Sequence, residues 1–246
     1  MNPSKSGLSS AAKTGIVVVV VVLVLGGAYL APSLSKGSAA QSSSHTLASC
    51  SSASGGNQTV GLPLLFACFS QMQVLETSNT SPIGGGVSRQ NVAYTVLGTA
   101  SFNSSQHTKV KFSSVGSGST NDVIAWFNSA GVIDRLDVIQ AGKNYTGPGA
   151  PFFALTYTGV FGLIPQLSNN ATLLSMLSKT SQNTTSIGST QLDVTTYHLV
   201  VPTSQIKSVT LKLATIPGTN QSFAVYLDEK APDGSENTFQ VMSVTK

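Results

Sequence analysis

Val209-Thr210-Leu211-Lys212-Leu213-Ala214-Thr215-Ile216, a Pro217-Gly218 corner, Phe223-Ala224-Val225-Tyr226-Leu227, a Pro232-Asp233-Gly234 corner and Phe239-Gln240-Val241-Met242-Ser243-Val244 follow one another near the end of the chain. Three apolar-rich runs of strand length, separated by residues that preset turns, read as antiparallel strands in a meander. The same pattern extends toward the N-terminus. Val92, Tyr94 and Val96 alternate, and Lys109-Val110-Lys111-Phe112 alternates sharply with its lysines outward. Residues 123–127 and 132–139 flank Asn128-Ser129-Ala130-Gly131, a connection of hairpin length. Gly142-Lys143-Asn144 turns the chain again, residues 152–164 read as a long apolar strand region, and 192–201 add another strand.

Two stretches carry a helical period instead. Leu62, Leu65, Phe66, Phe69 and Met72, with Pro63 in the first turn, predict a helix over 62–76. Leu173, Leu174, Met176 and Leu177 predict a short helix near 170–180. The expected fold class is mainly β with two helices (α+β). Its eight or nine strands form a curved antiparallel sheet or open half-barrel, preceded by one transmembrane helix.

That last element rests on residues 15–31, uncharged throughout and including six consecutive valines, Val17 to Val22. Its length is at the short end of what spans a bilayer. Lys5 and Lys13 precede it with no acidic residue before it, which places residues 1–14 in the cytoplasm and everything from residue 32 outside. A cleaved signal peptide is the rival reading, although Ala28 and Ala31 are spaced three apart rather than the two of an Ala-x-Ala site. Residues 32–61, dominated by Ser, Gly and Ala, read as a flexible stalk, and 62–246 as the β-rich extracytoplasmic domain. Lys5-Ser6-Gly7-Leu8-Ser9-Ser10 before a Val-rich span resembles the N-termini of archaeal prepilin-peptidase substrates, among them pilins and surface-assembled solute-binding proteins. Ser6 stands where that pattern usually has a basic residue. The resemblance implies an archaeal cell surface and processing after Gly7.

Composition agrees with an exposed setting. Charged residues make up 9% of the chain, against about a quarter in an average soluble domain, and 37 serines with 25 threonines fill the polar quota. After the apolar span, eleven basic and nine acidic residues are scattered singly, so no basic stripe is available for a nucleic-acid backbone. The two cysteines, Cys50 and Cys68, are expected to form one disulfide outside the membrane. Leu47-Ala48-Ser49-Cys50 also fits a lipobox, but fifteen mostly polar residues, 32–46, separate it from the apolar span. Seven of thirteen asparagines lie in Asn-x-Ser/Thr sequons: Asn57, Asn79, Asn103, Asn144, Asn170, Asn183 and Asn220. They predict N-glycosylation on an exported chain.

Catalytic signatures are lacking. There is no Gly-x-Ser-x-Gly elbow, and Ser-x-x-Lys matches occur at Ser10, Ser33 and Ser204, where about two would arise by chance among this many serines. His45, His107 and His198 are isolated, without metal-ligand spacing. Asp134 and Asp137 are expected to part on opposite strand faces, and Asp228, Glu229 and Asp233 read as solvated charges around a turn. No enzyme, cofactor or metal is expected. If the domain has a pocket, Trp126, Phe152, Phe153, Tyr157 and Phe161 are its candidate lining.

The order of helix, meander, mid-chain helix and further strands is similar to the lipoprotein-carrier superfamily typified by LolA and LppX. Thr184-Thr185-Ser186-Ile187-Gly188 leading to Thr196-Tyr197-His198-Leu199 looks like the helix-to-strand passage of those proteins, and Val225-Tyr226-Leu227-Asp228 like one of their strand ends. The resemblance implies a half-barrel whose concave face holds lipid or another apolar ligand; no single functional residue carries over. The expected function is therefore a membrane-anchored binding or carrier module for an apolar ligand. The alternative is a structural or adhesive surface subunit with protein partners.

Overall fold

The computed structural model describes Cys50 and residues 60–79, 86–115, 122–140, 143–145, 150–199, 202 and 206–246. The expected cytoplasmic segment, membrane span, most of the stalk and Asn57 lie outside the described residues. Among the described residues, no helix is long and apolar enough to cross a membrane.

A short helix, α1 (Leu62–Cys68), opens the domain, with Pro63 in its first turn as expected. Six strands follow: β1 (Gln71–Asn79), β2 (Val87–Phe102), β3 (Ser105–Ser114), β4 (Asp122–Phe127), β5 (Ile133–Gln140) and β6 (Lys143–Tyr145). Two helices come next, α2 (Ala150–Asn169) and α3 (Ala171–Ser175). The chain ends with β7 (Leu177–Ile187), β8 (Thr190–Leu199), β9 (Ser208–Thr215), β10 (Ser222–Lys230) and β11 (Glu236–Thr245). The eleven strands form one antiparallel sheet in the order β6-β5-β4-β3-β2-β1-β11-β10-β9-β8-β7. Two meanders meet where the first strand pairs with the last, which leaves β6 and β7 as the edges among the described residues.

The turns have the backbone their residues dictate. Asn103 and Ser104, both with positive φ (49° and 62°), make the two-residue β2–β3 turn. Asn128 accepts hydrogen bonds from the Ala130 and Val132 amides, shaping the β4–β5 turn, and a Cβ at Gly131 would lie 2.5 Å from Pro63 of α1. Register shifts at Val96/Gly98, Ala224/Tyr226 and Gln73/Val74 bend the strands. The bend shows in a contact across the sheet. Gly188, between β7 and β8, bridges Val244 of β11, and Thr190 Oγ1 donates to the Val244 carbonyl at 2.8 Å, although β10 and β9 intervene in the sheet order.

Several expectations need correction: Lys143 and Asn144, read as a turn, open β6, and the described domain has eleven strands and three helices where eight or nine and two were expected. The helix predicted over 62–76 ends at Cys68, because Phe69 is extended and Met72, Val74 and Glu76 then alternate along β1. The apolar region 152–164 is not a strand but most of α2; a uniformly apolar run has no period, so only its length favoured a helix. The short helix near 170–180 stops at Ser175, and Leu177 opens β7. Residues 184–188 belong to the β7–β8 hairpin rather than to a helix-to-strand passage. Domain and stalk also meet earlier than expected, since Val60 is buried in the core.

Candidate functional site

The concave face of the sheet is the candidate site, and α2 lies across it, touching β4, β5, β1 and β10. Its sheet-facing side chains follow a helical period: Tyr157, Val160, Phe161, Ile164 and Leu167 are all buried. Phe161 sits with its ring centroid 5.1 Å from that of Tyr94 and 5.5 Å from that of Phe112. Phe66 of α1 packs edge-on against Tyr94 at 5.0 Å, so both helices share one aromatic cluster. The Tyr94 hydroxyl reaches the carbonyls of Leu65 and Phe69 at 3.3 Å each, and burial pushes its phenol far above its ordinary pKa.

Polar bonds fasten α2 at both ends of its described side chains. Near its C-terminus, Ser168 Oγ donates to the Ile164 carbonyl and accepts from the Ala224 amide at 2.8 Å, at the β10 register shift. Asn169 exchanges two bonds with the Val60 backbone, at 2.8 and 3.2 Å. Farther up the helix, the Tyr157 hydroxyl lies 3.2 Å from Ser114 Oγ. The buried side chains Val160, Phe161, Ile164 and Leu167 add apolar packing against the sheet.

One end of the concave face is acidic. Glu76 lies opposite Gln90 and Phe239, and Glu229 lies opposite Val209 and Asn237. Phe239 and Val209 are core residues, so both carboxylates share the inner face. Desolvation raises both pKa values above the ordinary glutamate range. Glu229 is therefore not the solvated turn charge that its neighbourhood in the sequence suggested. Asp228, on the outer face of the same strand, does pair with Lys230 at 3.8 Å.

The structure divides the pocket candidates. Tyr157 and Phe161 come together on the concave face, both buried. Phe152 and Phe153 belong to α2, but their side chains lie outside the described set. Trp126 is on the opposite face: it is paired with Lys109 and Arg135 across the sheet, whereas Val123, Ala125 and Phe127 point inward. The run Val123–Phe127 is apolar throughout, so it gave no sign of which residues face out.

Around Trp126 the outer face carries a cluster that the sequence did not suggest. Arg135 and Lys109 lie over the indole at 4.9 and 4.8 Å, Trp126 Nε1 donates to Asp137 Oδ2 at 3.0 Å, and Arg135 Nε donates to the other oxygen. His107, 2% exposed, faces two acceptors: Asp134 Oδ2 at 2.8 Å and the Ser105 carbonyl at 3.0 Å. Asp134 also accepts from Asn128, so the cluster ties the β2–β3 turn to the β4–β5 turn. Its members are up to 35 residues apart, from Phe102, whose ring lies 6.0 Å from that of Trp126, to Asp137, which is why no spacing motif announced it. Among the described residues no cluster of three or more His, Cys, Asp or Glu is placed to hold a metal ion.

Cys50 and Cys68 are joined, as expected, with Cα atoms 4.7 Å apart. The Cys50 sulfur rests 3.5 Å from the Pro217 carbonyl oxygen, seating the start of the domain on the β9–β10 turn. The described sequon asparagines differ in setting. Asn103 and Asn220 are exposed in turns, Asn144 and Asn183 are exposed on the edge strands β6 and β7, and Asn79 ends β1 half-buried. The Asn170 side chain caps α3, accepting from the Leu173 amide at 2.9 Å.

The described chain is thus a mainly β domain, one open antiparallel sheet of eleven strands with a twenty-residue helix packed across one face. No protein-family model matches it. No curated protein matches it either. Among solved structures it is similar to MucB, determined in complex with MucA(peri), with a TM-score of 0.33 and 11% identity over 71% of this chain. The match spans 49% of that chain, about half its length.

Proposed function

We propose that this protein is a single-pass, membrane-anchored binding module that holds its half-barrel outside the cytoplasm and accepts an apolar, lipid-like ligand between the concave face and α2. It binds rather than catalyses. The observation that carries the reading is α2 itself: twenty residues without a single charge, whose buried side chains Val160, Phe161, Ile164 and Leu167 lie over an apolar concave surface. An acyl chain entering there replaces one set of hydrocarbon contacts by another, so little desolvation opposes it. Glu76 and Glu229 give the face one polar end, where the head of such a ligand would meet water.

The test uses a fluorescent long-chain fatty acid. Saturable binding is expected for the wild type. Ser168→Cys combined with Ala224→Cys replaces a 2.8 Å hydrogen bond by a covalent lock on α2. Oxidation of this variant is expected to abolish binding and reduction to restore it, with equally treated wild type as the reference because reduction also opens Cys50–Cys68. Unchanged binding in the locked form sinks the proposal. A structural or adhesive subunit then becomes the better reading, favoured by the free edge along β7.

The anchored, exported topology rests on Lys5 and Lys13 before the apolar span and on the sequons. Protease added outside intact cells is expected to remove the whole domain, and glycopeptide mapping to find glycans on Asn103, Asn144 and Asn220. A domain protected from protease, or those three asparagines bare, contradicts export by this route.

A further inference from the structure

The two edges of the sheet are built differently. β6 is three residues long and begins with a lysine, two of the devices that stop a sheet edge from recruiting another strand. β7 is eleven residues long, and everything from Ser178 to Ser186 is exposed, on both faces of the strand. Its only charge, Lys179, sits at one end beside the register shift, held to Gln182 at 2.7 Å. From Thr180 to Ile187 the strand contains no charge and no proline.

We propose that the β7 edge is the surface on which two copies of this chain pair, antiparallel and about a two-fold axis, joining their sheets into one. The strand suits itself. With the axis anywhere from Gln182 to Thr184, hydroxyl and amide side chains face one another, and Lys179 falls opposite Thr185, Ile187 or a position beyond the strand, never opposite Lys179. A two-fold pairing of identical strands requires this absence of self-opposed charge. Exposure on both faces means that nothing described on either side of the sheet blocks the approach of a second strand. The other edge lacks the length to do the same.

The test is made on the full chain in its membrane. The sequence holds only the two bridged cysteines, so an introduced one is the sole free thiol. Single variants Gln182→Cys, Asn183→Cys and Thr184→Cys are expected to give disulfide-linked homodimers on mild oxidation, and Asn144→Cys on β6 is expected to give none. Adding Ser181→Lys and Ser186→Lys, which set like charges along the edge, is expected to lower the cross-linked fraction about tenfold. Equal cross-linking from Asn144→Cys, no cross-linking from any of the three β7 positions, or their capture of a different protein overturns the pairing. So does a glycan on Asn183 in protein taken from its own membrane, since it would occupy the middle of the paired stretch.

Discussion

Phe161→Ala is expected to destabilise the domain by about 3–5 kcal/mol, the range for emptying a fully buried phenylalanine site. Phe161 has no exposed surface and closes the aromatic cluster with Tyr94 and Phe112. Because Phe161 is the fully buried centre of the contact between α2 and the sheet, the loss falls on the seating of the helix. Against a typical total stability of about 5–15 kcal/mol, it is a large share. Urea unfolding followed by circular dichroism is the measurement, with the half-buried Leu163 changed to alanine as the comparison. A loss below about 1 kcal/mol at Phe161 would mean that α2 is not seated in the concave face. Phe161→Asp is expected not to fold, for an unpaired carboxylate cannot be buried there. Charged substitutions at this position therefore report on folding before they report on any ligand.

The second large effect comes from the disulfide. Cys50→Ala with Cys68→Ala is expected to cost about 3 kcal/mol in the chain-entropy account of a short closed loop. The two cysteines are eighteen residues apart, and the bridge joins the end of α1 to a segment resting on the β9–β10 turn. Most of the effect should appear in the unfolded state. The urea m-value is therefore expected to rise along with the fall in midpoint, because the freed chain exposes more surface on unfolding. An unchanged midpoint in the double variant would show that the bridge constrains nothing the fold does not already fix.

How much of this was legible depended on whether a signal was local. The strands β9, β10 and β11 and their corners could be read directly: alternation within each run and Pro-Gly or Pro-Asp-Gly between them are properties of residues a few positions apart. The hairpin around Asn128–Gly131 was readable for the same reason. β7 was not, because none of the residues from Ser178 to Ser186 is buried, and no apolar alternation could mark them. That strand exists because β8 offers it a backbone ladder. β1 was hidden differently. Leu62 to Met72 satisfies a helical period, and only the extended backbone at Phe69 separates α1 from the strand.

The candidate site divides along the same line. Tyr157 and Phe161 were picked from an aromatic-rich run and do meet on the concave face, but as part of a helix. Trp126 was picked on residue type alone and points the other way, into a cation- and carboxylate-lined cluster whose members are distant in sequence. Glu229 looked like a turn charge, yet β10 continues through Lys230 and turns that carboxylate inward.

The sequence by itself determined the β-rich class, the C-terminal meander with its Pro-Gly and Pro-Asp-Gly corners, the hairpin at Asn128–Gly131 and the cysteine pairing, since each follows from neighbouring residues or from there being only two thiols. Only the tertiary structure decided that the apolar run 150–169 is a helix, which face each strand buries, and that β7 rather than β6 is the long free edge. Those choices depend on which distant surface is available to cover a residue or to pair a backbone, and no window of the chain contains that information.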